Sequence, residues 1–458
     1  MDEFLPDELQ ARLREVGEVD IVVGIPSYNN ARTIGQVVRA VAAGLEKYFP
    51  DRRSMILNSD GGSSDGTREA VLGAQVDSEA LMLLVHRVHP VQRISTPYQG
   101  IPGKGSAFRT VFAVAKELHA KACVVVDSDL RSITPQWVEL LAGPVLERDF
   151  DYIAPFYLRH KFDGTITNSI IYPTTRALFG KRVRQPIGGE FGFSGRMAAR
   201  YLEKEDVWKT DVARFGIDIW MTLTAIAEGF KIGQAYLGAK LHDAKDPGAD
   251  LTQMFQQVVG SLFGAMETYE TVWQNANGSE KVPEFGFPFE VGTEPVAVNV
   301  ERMIRAFGQG IRDLREIYQN ILTPSTLQAL TAASQQSAED FRVTDIEWVH
   351  LVYEFAAAYH QKKMDRGHLL VGCAGTCGIM RLCCGRRIGV TWLNGRQARE
   401  GEQVLRSDDR CHGVGPRVGF LGFQRGENVV LVGGNQRPFG TASDLACHPP
   451  NQQQQGDG

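Results

Sequence analysis

The sequence predicts an α/β fold with a mainly parallel sheet, followed by an α-helical annex. Three observations support this prediction. Apolar runs of strand length alternate with segments of helical periodicity over the first half of the chain. Polar, glycine-rich clusters follow several of those runs, as at the carboxyl ends of parallel strands, where ligands bind. From residue 251 to residue 368 only helical periodicity remains.

The individual elements follow in chain order. Residues 1–17 are acidic and have the periodicity of a short N-terminal helix. The run DIVVGIP is typical of a buried parallel strand and ends at Pro26. Further strands are expected at residues 54–58, 93–95, 122–126 and 152–156, and helices at 33–48, 68–73, 106–119 and 217–228. Amphipathic stretches near 251–275, 296–321, 325–337 and 345–366 follow, so we expect an α/β domain over residues 18–250 and a helical region over 251–368.

Composition bounds the class of protein. The chain has 458 residues, of which 43% are hydrophobic and 22% are charged, and this excludes a disordered chain and a small disulfide scaffold. The formal net charge is −5, so a general nucleic-acid binder is not expected. The N-terminus lacks the basic and apolar regions of a signal peptide, and no run reaches the ~18–20 apolar residues of a membrane helix. We therefore expect a cytoplasmic protein without a transmembrane segment.

The last ninety residues differ from the rest. Residues 369–458 contain ten Arg but no Lys, seventeen Gly and six of the seven Cys, and they show no sustained helical or strand period. The segment ends in a low-complexity run of glutamines. Spacings such as Cys373-x3-Cys377 do not match the usual C-x2-C pairs of a zinc site, and a disulfide module conflicts with a cytoplasmic location.

The preferred hypothesis for this segment is that the reading frame shifts near residue 369. Arg without Lys, abundant Gly and scattered Cys are what an out-of-frame, GC-rich message encodes. A disordered tail is the alternative. The coding DNA distinguishes the two, because an open alternative frame that continues the helical pattern supports the shift and its absence counts against it.

The first candidate site follows the apolar strand CVVV, as Asp127-Ser128-Asp129. Two carboxylates one residue apart at a strand end can hold a divalent cation and the diphosphate bound to it, and Mg²⁺ and Mn²⁺ prefer such oxygen ligands. The alternative is a solvated turn, or caps for a helix that begins near Pro135. The strand context favours the cation site.

Polar strings also follow the first two strands. The string SDGGSSDGT contains Asp60, which can accept hydrogen bonds from a base or a ribose, and glycines that permit tight turns. The string GIPSYNN places Pro26 and Tyr28 at the sheet edge, where a base could stack on the tyrosine ring. The alternatives are a capped turn and an ordinary strand–loop–helix junction.

Three single residues complete the candidates at the sheet edge. Lys104 lies between two glycines before a helix and can reach a phosphate or a ribose, although the Walker pattern is absent. His242 follows the apolar string YLGAKL and is a candidate third metal ligand, with a structural histidine as the alternative. Asp218 opens a helix, where it either caps that helix or faces an acceptor.

A basic set lies between residues 159 and 184. Its members are Arg159, His160, Lys161, Arg176, Lys181, Arg182 and Arg184. Charge runs are usually solvated faces, but this set lies near the turn at Gly188-Gly189, which could approach a ligand closely. An anionic acceptor with a carboxylate or phosphate would suit these side chains.

Taken in this order, GIPSYNN, SDGGSSDGT and DSD resemble the first-strand motif, the acidic turn and the DxD motif of GT-A glycosyltransferases of the family 2 type. Within that superfamily, GKG, QPIGGEFGFSGR, FGIDIW and a histidine after the last strand are similar to glucosyl-3-phosphoglycerate synthases and related mannosylglycerate or glucosylglycerate synthases. The likeness spans roughly residues 18–250, with weaker support to residue 368. It implies a Rossmann-like GT-A fold, a UDP- or GDP-linked sugar donor, Mg²⁺ or Mn²⁺, and a small anionic acceptor of the glycerate or 3-phosphoglycerate type. A homodimer is left open.

The resemblance also implies roles for individual residues. The positions expected to bind the donor are Pro26, Tyr28, Asp60, Lys104 and Asp127. Those expected to hold the metal are Asp127, Asp129 and His242. Those expected at the reacting centre are Gly188, Gly189 and Asp218, and those expected to bind the acceptor are Arg159, Lys161 and Arg184. In one departure, this chain has Tyr-Asn-Asn where relatives often have an acid shortly after the first-strand proline, so contacts to a particular base do not carry over.

Asp218 separates two mechanisms that the resemblance allows. In a retaining enzyme without a carboxylate nucleophile, the leaving phosphate can take the acceptor proton, whereas an inverting enzyme needs a carboxylate base, for which Asp218 is the candidate. Retention is the expectation. The alternatives are an inverting transferase acting on a lipid phosphate or polysaccharide, a nucleotidyltransferase, which carries a glycine-rich N-terminal signature, and a non-catalytic binding module.

Overall fold

The computed structural model describes residues 4–74, 90–158, 164–241, 252–288, 299–337 and 339–375, and two short strands near the end of the chain. Its centre is an eight-stranded sheet. The strands are β1 (Ile21–Ser27), β2 (Ser54–Asp60), β3 (Gln92–Pro97), β4 (Ala122–Val125), β5 (Tyr152–Leu158), β6 (Phe191–Ser194), β7 (Ile232–Ala239) and β8 (Glu284–Phe285). Their spatial order is β3-β2-β1-β4-β6-β5-β7-β8.

The direction of the strands defines where a site can form. All pairings in this sheet are parallel except those of β6, which runs antiparallel to both β4 and β5. The other strands therefore end at one common edge, called the carboxyl edge below. β6 begins at this edge, because Phe191 pairs with Val125 at the end of β4. The predicted α/β fold with a mainly parallel sheet is confirmed, and β6, β7 and β8 are additional to the five strands with predicted bounds.

Helices cover both faces of the sheet. They are α1 (Asp7–Val16), α2 (Ala31–Tyr48), α3 (Thr67–Gly73), α4 (Lys104–Glu117), α5 (Pro135–Arg148), α6 (Tyr172–Leu178), α7 (Gly195–Leu202) and α8 (Ile217–Ala227). Because side chains alternate along a strand, β1 supplies both cores. Val23 packs with Val37 of α2 on one face, whereas Val22 packs with Phe108 of α4 on the other.

The predicted helical region follows the sheet. It consists of α9 (Thr252–Thr268), α10 (Glu270–Gln274), α11 (Val300–Asp313), α12 (Arg315–Ile321), α13 (Pro324–Ser334), α14 (Asp345–His360) and α15 (Arg366–Gly375). Its buried residues, such as Phe255 and Phe355, belong to the same apolar cluster as the α4 face of the sheet. The region therefore shares a core with the sheet. The expected domain boundary at residue 250 lies outside the described residues and stays a prediction.

The folded chain extends past the expected boundary at residue 369. Helix α15 continues to Gly375 and buries Leu369, Leu370 and Cys373 in the core. Cys373 therefore packs as a core residue, and the other five cysteines of the last ninety residues lie outside the described residues. The two short strands, β9 (Leu421–Gly422) and β10 (Val430–Leu431), form an antiparallel pair. Within the described ranges, no helix combines the length and the apolar character needed to cross a membrane.

Candidate active site

Five ionisable side chains meet at the carboxyl edge of the sheet. They are Lys104, Asp127, Glu190, Asp218 and Lys240, and they are called the charged cluster below. Asp127 and Lys240 follow β4 and β7, Glu190 precedes β6, and Lys104 and Asp218 lie at the first turns of α4 and α8. Five separate elements thus deliver one charge each to the edge where open α/β sheets bind ligands.

Asp127 lies between the two lysines. Its Oδ1 is 2.9 Å from Lys104 Nζ, and its Oδ2 is 2.7 Å from Lys240 Nζ. Lys104 Nζ is also 3.3 Å from Asp218 Oδ1. Lys240 Nζ donates to Glu190 at 2.8 Å and to the Gly188 carbonyl oxygen at 2.8 Å. Each ammonium therefore joins two carboxylates, and Asp127 links the two ammoniums.

Burial and these ion pairs set the protonation states. Burial alone would raise the pKa of Asp127, but the ammoniums of Lys104 and Lys240 hold that pKa well below its ordinary value. Burial would lower the pKa of Lys104, and the neighbouring carboxylates raise it instead. Burial raises the pKa of Asp218 despite Lys104, and it raises the pKa of Glu190 to about 7. Two cations thus face three carboxylates, and Glu190 is the carboxylate poised to carry a proton near neutral pH.

Glu190 should make the free energy of unfolding depend on pH. Its pKa is raised from an ordinary 4.5 to about 7, so this contribution is fully present below pH 4.5 and is lost as the pH rises through 7. The lost stability is on the order of 3 kcal/mol, at ~1.4 kcal/mol per pKa unit. We expect the stability gain of Glu190→Gln over wild type to grow between pH 5 and pH 8 in urea unfolding. Glu69→Gln, at an exposed position, is the matched control; parallel curves for Glu190→Gln and wild type would contradict the expectation.

The turn at Gly188-Gly189 lies against the charged cluster. Gly189 has φ +92°, a conformation that favours glycine, and a side chain there would overlap the Asp127 carboxylate and lie 2.8 Å from Lys240 Nζ. A side chain at Gly188 would overlap the ring of Pro155. Close approach of this turn to a ligand stays a prediction, and the structure shows its close approach to the first carboxylate of DSD.

The glycines of GKG position Lys104. A side chain at Gly103 would lie 2.6 Å from the Ala213 carbonyl oxygen, and one at Gly105 would overlap the Val212 carbonyl. The Gly105 N–H donates to the Arg214 carbonyl oxygen at 3.1 Å. The start of α4 therefore packs directly on the loop that leads into α8, and this contact brings Lys104 to Asp218.

The acidic turn after β2 is organised by Asp60. This side chain is buried and accepts four hydrogen bonds: Oδ1 from the hydroxyls of Ser27 and Ser63, and Oδ2 from the backbone N–H groups of Gly62 and Ser63. Two carboxylate oxygens offer about four acceptor sites, so these contacts use the capacity of Asp60. The structure thus gives Asp60 a turn-forming role, and its direct contact with a nucleoside stays a prediction.

Asn30 connects the first-strand string to DSD. Its Oδ1 accepts a hydrogen bond from Ser128 Oγ at 2.8 Å, and Thr33 Oγ1 donates to the Ser128 carbonyl oxygen at 2.9 Å. Tyr28, two residues earlier, leaves 64% of its surface exposed at the carboxyl edge, and Pro26 lies within β1. The middle residue of DSD is therefore structural, and the Tyr28 ring is accessible to a ligand.

The expected metal site is described in part. Asp129 is half-buried beside the charged cluster, and His242 lies outside the described residues. Leu241, directly before it, donates its N–H to Ser132 Oγ at 2.9 Å and accepts from the Arg131 N–H at 2.8 Å. The chain thus reaches His242 from beside the DSD loop. Within the described part of the chain, no three His, Cys, Asp or Glu side chains gather as a metal-binding group.

The structure describes only part of the basic set. Arg159, His160 and Lys161 lie outside the described residues. Arg184 donates to Asn168 Oδ1 at 2.9 Å, and its guanidinium lies 4.9 Å from the centre of the Tyr172 ring. These contacts do not include the charged cluster, so acceptor binding by Arg159, Lys161 and Arg184 stays a prediction.

Sequence reasoning missed Lys240 and Glu190 as site residues. Lys240 lies in YLGAKL and Glu190 lies in QPIGGEFGFSGR, and each is a charged residue within an otherwise apolar or glycine-rich run. A charged side chain next to a buried strand needs a partner, and this is the signal that could have identified them. Their pairing itself depends on β6 and β7 meeting around β5, which no local pattern shows.

Parts of this chain are similar in sequence to proteins of known function. Residues 66–267 match the family model of the mannosylglycerate synthase GT domain. The glucosyl-3-phosphoglycerate synthase of Petrotoga mobilis is 25% identical over 290 residues, which cover 59% of this chain and 80% of that protein. These two matches confirm the resemblance to GT-A glycosyltransferases of the glucosyl-3-phosphoglycerate and mannosylglycerate synthase group, and the chain is a glycosyltransferase.

The chain is also similar to solved structures. The glucosyl-3-phosphoglycerate synthase of Mycobacterium tuberculosis in complex with Mg²⁺ and uridine-diphosphate is 22% identical, with a TM-score of 0.40 over 56% of this chain and 82% of that one. The same enzyme in complex with Mn²⁺, uridine-diphosphate-glucose and phosphoglyceric acid is 21% identical, with a TM-score of 0.40 over 58% of this chain and 86% of that one.

Proposed function

We propose that the protein transfers a hexose from a UDP- or GDP-linked donor to a small anionic acceptor of the glycerate or 3-phosphoglycerate type, with retention and with Mg²⁺ or Mn²⁺. The charged cluster is the observation that carries this proposal. It holds a half-buried ammonium, Lys104, and a buried one, Lys240, at the carboxyl edge, joined by the first aspartate of DSD. A diphosphate bound there would be a further anionic partner of both ammoniums, beside Asp127. The relative from Petrotoga mobilis and the matched family model support hexose transfer to a glycerate-type acceptor.

Asp129 and His242 are the residues that would hold the divalent cation. Both oxygens of Asp127 already have an ammonium partner, so the metal role fits Asp129 better and leaves Asp127 to the lysines and the ribose. Carboxylate oxygen and imidazole nitrogen are ligands that Mn²⁺ accepts, and Mg²⁺ favours the oxygen. When bound, the cation neutralises the charge that develops on the leaving diphosphate.

Asp129→Ala is expected to abolish metal-dependent donor hydrolysis and transfer, with a loss of at least about 10²-fold. The release of nucleoside diphosphate from the donor, measured over a range of Mn²⁺ concentrations, checks this. Asp51→Ala, at an exposed position away from the carboxyl edge, is the matched control. Full activity and an unchanged metal dependence in Asp129→Ala would remove the metal proposal.

Asp218 decides between the two stereochemical outcomes. Its carboxylate lies 3.3 Å from Lys104 Nζ, and this ion pair suits a residue that orients Lys104 more than a free general base. Asp218→Asn should therefore keep residual activity and give a product of retained anomeric configuration, determined by NMR. Complete loss of activity in this variant, together with an inverted product from the wild type, would replace retention by the inverting alternative.

The substrates are tested by a screen of donors against acceptors. UDP-glucose, GDP-glucose and GDP-mannose are each combined with glycerate, 3-phosphoglycerate and glycerol 3-phosphate in the presence of Mn²⁺. We expect transfer for at least one pair with a carboxylate-bearing acceptor. Release of nucleoside diphosphate without any acceptor product across the screen would contradict the acceptor class.

A further inference from the structure

Two arginines converge on one serine, away from the charged cluster. Arg176, in the last turn of α6, donates its Nε–H to Ser279 Oγ at 3.2 Å, and Arg182 donates its Nε–H to the same oxygen at 3.2 Å. The two guanidinium Nε atoms are therefore separated by no more than twice that distance. Both side chains are half-buried. Arg176, Arg182 and Ser279 are called the arginine pair site below.

The backbone holds this arrangement in place. The Arg182 N–H donates to the Glu280 carbonyl oxygen at 2.9 Å, and the Glu280 N–H donates to the Gly180 carbonyl oxygen at 3.0 Å. Gly180 has φ +67°, and a side chain there would lie 3.1 Å from the Gly278 carbonyl oxygen. This short bridge fixes the segment around Ser279 against the end of α6. The convergence of the two arginines is thus built by the fold.

The charges at the site are not balanced. Within the described residues, neither Arg176 nor Arg182 forms an ion pair, and the nearby Glu280 pairs with Lys181 instead. Ser279 Oγ accepts both Nε–H groups, so its own proton is left to donate to a third group. Two half-buried cations and a hydroxyl donor around one point offer several hydrogen-bond donors to one anion with several oxygens. A phosphate group suits this arrangement, because it accepts from two guanidinium groups at once.

The arginine pair site is remote from the reacting centre. Arg184, two residues after Arg182, donates its N–H to Gln234 near the start of β7, and Lys240 follows the end of that strand. Six residues of strand between Gln234 and Lys240 span on the order of 20 Å. Ser279 precedes β8, whose Glu284 pairs with Gln234. The site therefore lies toward the amino end of the sheet, opposite the carboxyl edge.

We propose that Arg176, Arg182 and Ser279 bind a phosphate group, carried by inorganic phosphate or by a phosphomonoester, at a site separate from the one where sugar is transferred. Binding there links α6 to the segment before β8 and stabilises the folded protein. The proposal does not depend on which donor or acceptor the enzyme uses.

The test is a titration of the full chain with inorganic phosphate, and separately with glycerol 3-phosphate, followed by ³¹P NMR and by the melting temperature. Both titrations are made with and without saturating UDP and Mn²⁺, which would occupy the proposed donor site, and the arginine variant distinguishes the arginine pair site from the acceptor position. We expect binding that UDP does not remove, and at least about tenfold weaker binding in Arg176→Gln/Arg182→Gln, because each charged hydrogen bond contributes ~1.5–3 kcal/mol. Arg302→Gln/Arg305→Gln on α11 removes the same charge at exposed positions and should bind as the wild type does.

The two titrations distinguish the carriers. Equal affinities point to the phosphate group alone, and tighter binding of glycerol 3-phosphate points to a phosphomonoester. Ser279→Ala, which keeps both charges, should weaken binding without abolishing it and serves as a second variant if the double variant unfolds. Binding that UDP abolishes, or that persists unchanged in the arginine and serine variants, would overturn the proposal.

Discussion

Replacing Lys240 with methionine is expected to abolish sugar transfer and to destabilise the protein by about 3–5 kcal/mol. The Lys240 ammonium is the partner of Asp127, of Glu190 and of the Gly188 carbonyl oxygen, and Glu190 has no exposed surface. Methionine fills a similar volume without a charge, so the variant leaves a buried carboxylate without its cation. The free energy of unfolding in urea and the rate of nucleoside diphosphate release measure the two effects.

A double variant separates the structural effect from the catalytic one. Glu190→Gln removes the orphaned charge, so Lys240→Met/Glu190→Gln should recover most of the lost stability. It should not recover activity, because the ammonium that would meet the leaving diphosphate is still missing. Lys209→Met, at an exposed lysine, is the matched control. If the double variant transfers sugar at the wild-type rate, Lys240 is structural and the proposed diphosphate contact is wrong.

The elements that the sequence predicted well are those with an unbroken local pattern. β1 and β4 are apolar runs buried on both faces, and α2 carries a regular apolar stripe, so each appears within a few residues of its expected bounds. β6 has only four residues and lies inside a glycine-rich string, so its pattern is too short to indicate a strand. Its antiparallel place between β4 and β5 follows from long-range pairing.

The same distinction applies to the candidate site. Asp127 and Lys104 could be named from sequence because strand ends and glycine loops mark them locally. Lys240 and Glu190 can be recognised as members of the candidate site only once the fold is known, because β6 and β7 bring them together at the carboxyl edge. Asp60 shows the converse, because its carboxylate accepts four hydrogen bonds from Ser27 and its own turn, which the sequence does not reveal, while its expected contact with a ligand stays a prediction. A sequence shows that a polar group is present and does not show whether the fold already satisfies it.

The basic residues between 159 and 184 show what closeness in sequence leaves undetermined. An anionic acceptor was the expectation for this set, and it stays a prediction because Arg159, His160 and Lys161 lie outside the described residues. In the described part, Arg176 and Arg182 contact Ser279, nearly a hundred residues later, and Arg184 contacts Asn168. A π-helical turn at Thr167–Ile171 and helix α6 lie within this stretch of the chain. Described basic residues that are neighbours in the sequence therefore have different partners in the fold.

Replacing Gly189 with alanine is expected to reduce sugar transfer by at least about 10²-fold while the protein stays folded. A methyl group at this position would overlap the Asp127 carboxylate and lie 2.8 Å from Lys240 Nζ, so it must push the two ion-paired groups apart. A displacement of about 1 Å at a reacting centre can cost 10²-fold in rate. The positive φ of +92° adds backbone strain of ~1–2 kcal/mol, which affects stability.

Gly229→Ala separates that strain from the displacement. Gly229 has φ +74° and open space where a side chain would go, and it lies between α8 and β7, away from the carboxyl edge. Both alanine variants should therefore lose stability in urea unfolding through backbone strain, with a further loss of about 1–3 kcal/mol from the overlap in Gly189→Ala, whereas only Gly189→Ala should lose activity. Because the methyl group separates Asp127 from Lys240, the loss in Gly189→Ala should appear mainly in kcat, with a smaller change in the KM for the donor. Equal activities in the two variants would mean that the contact between Gly189 and Asp127 has no part in the reaction.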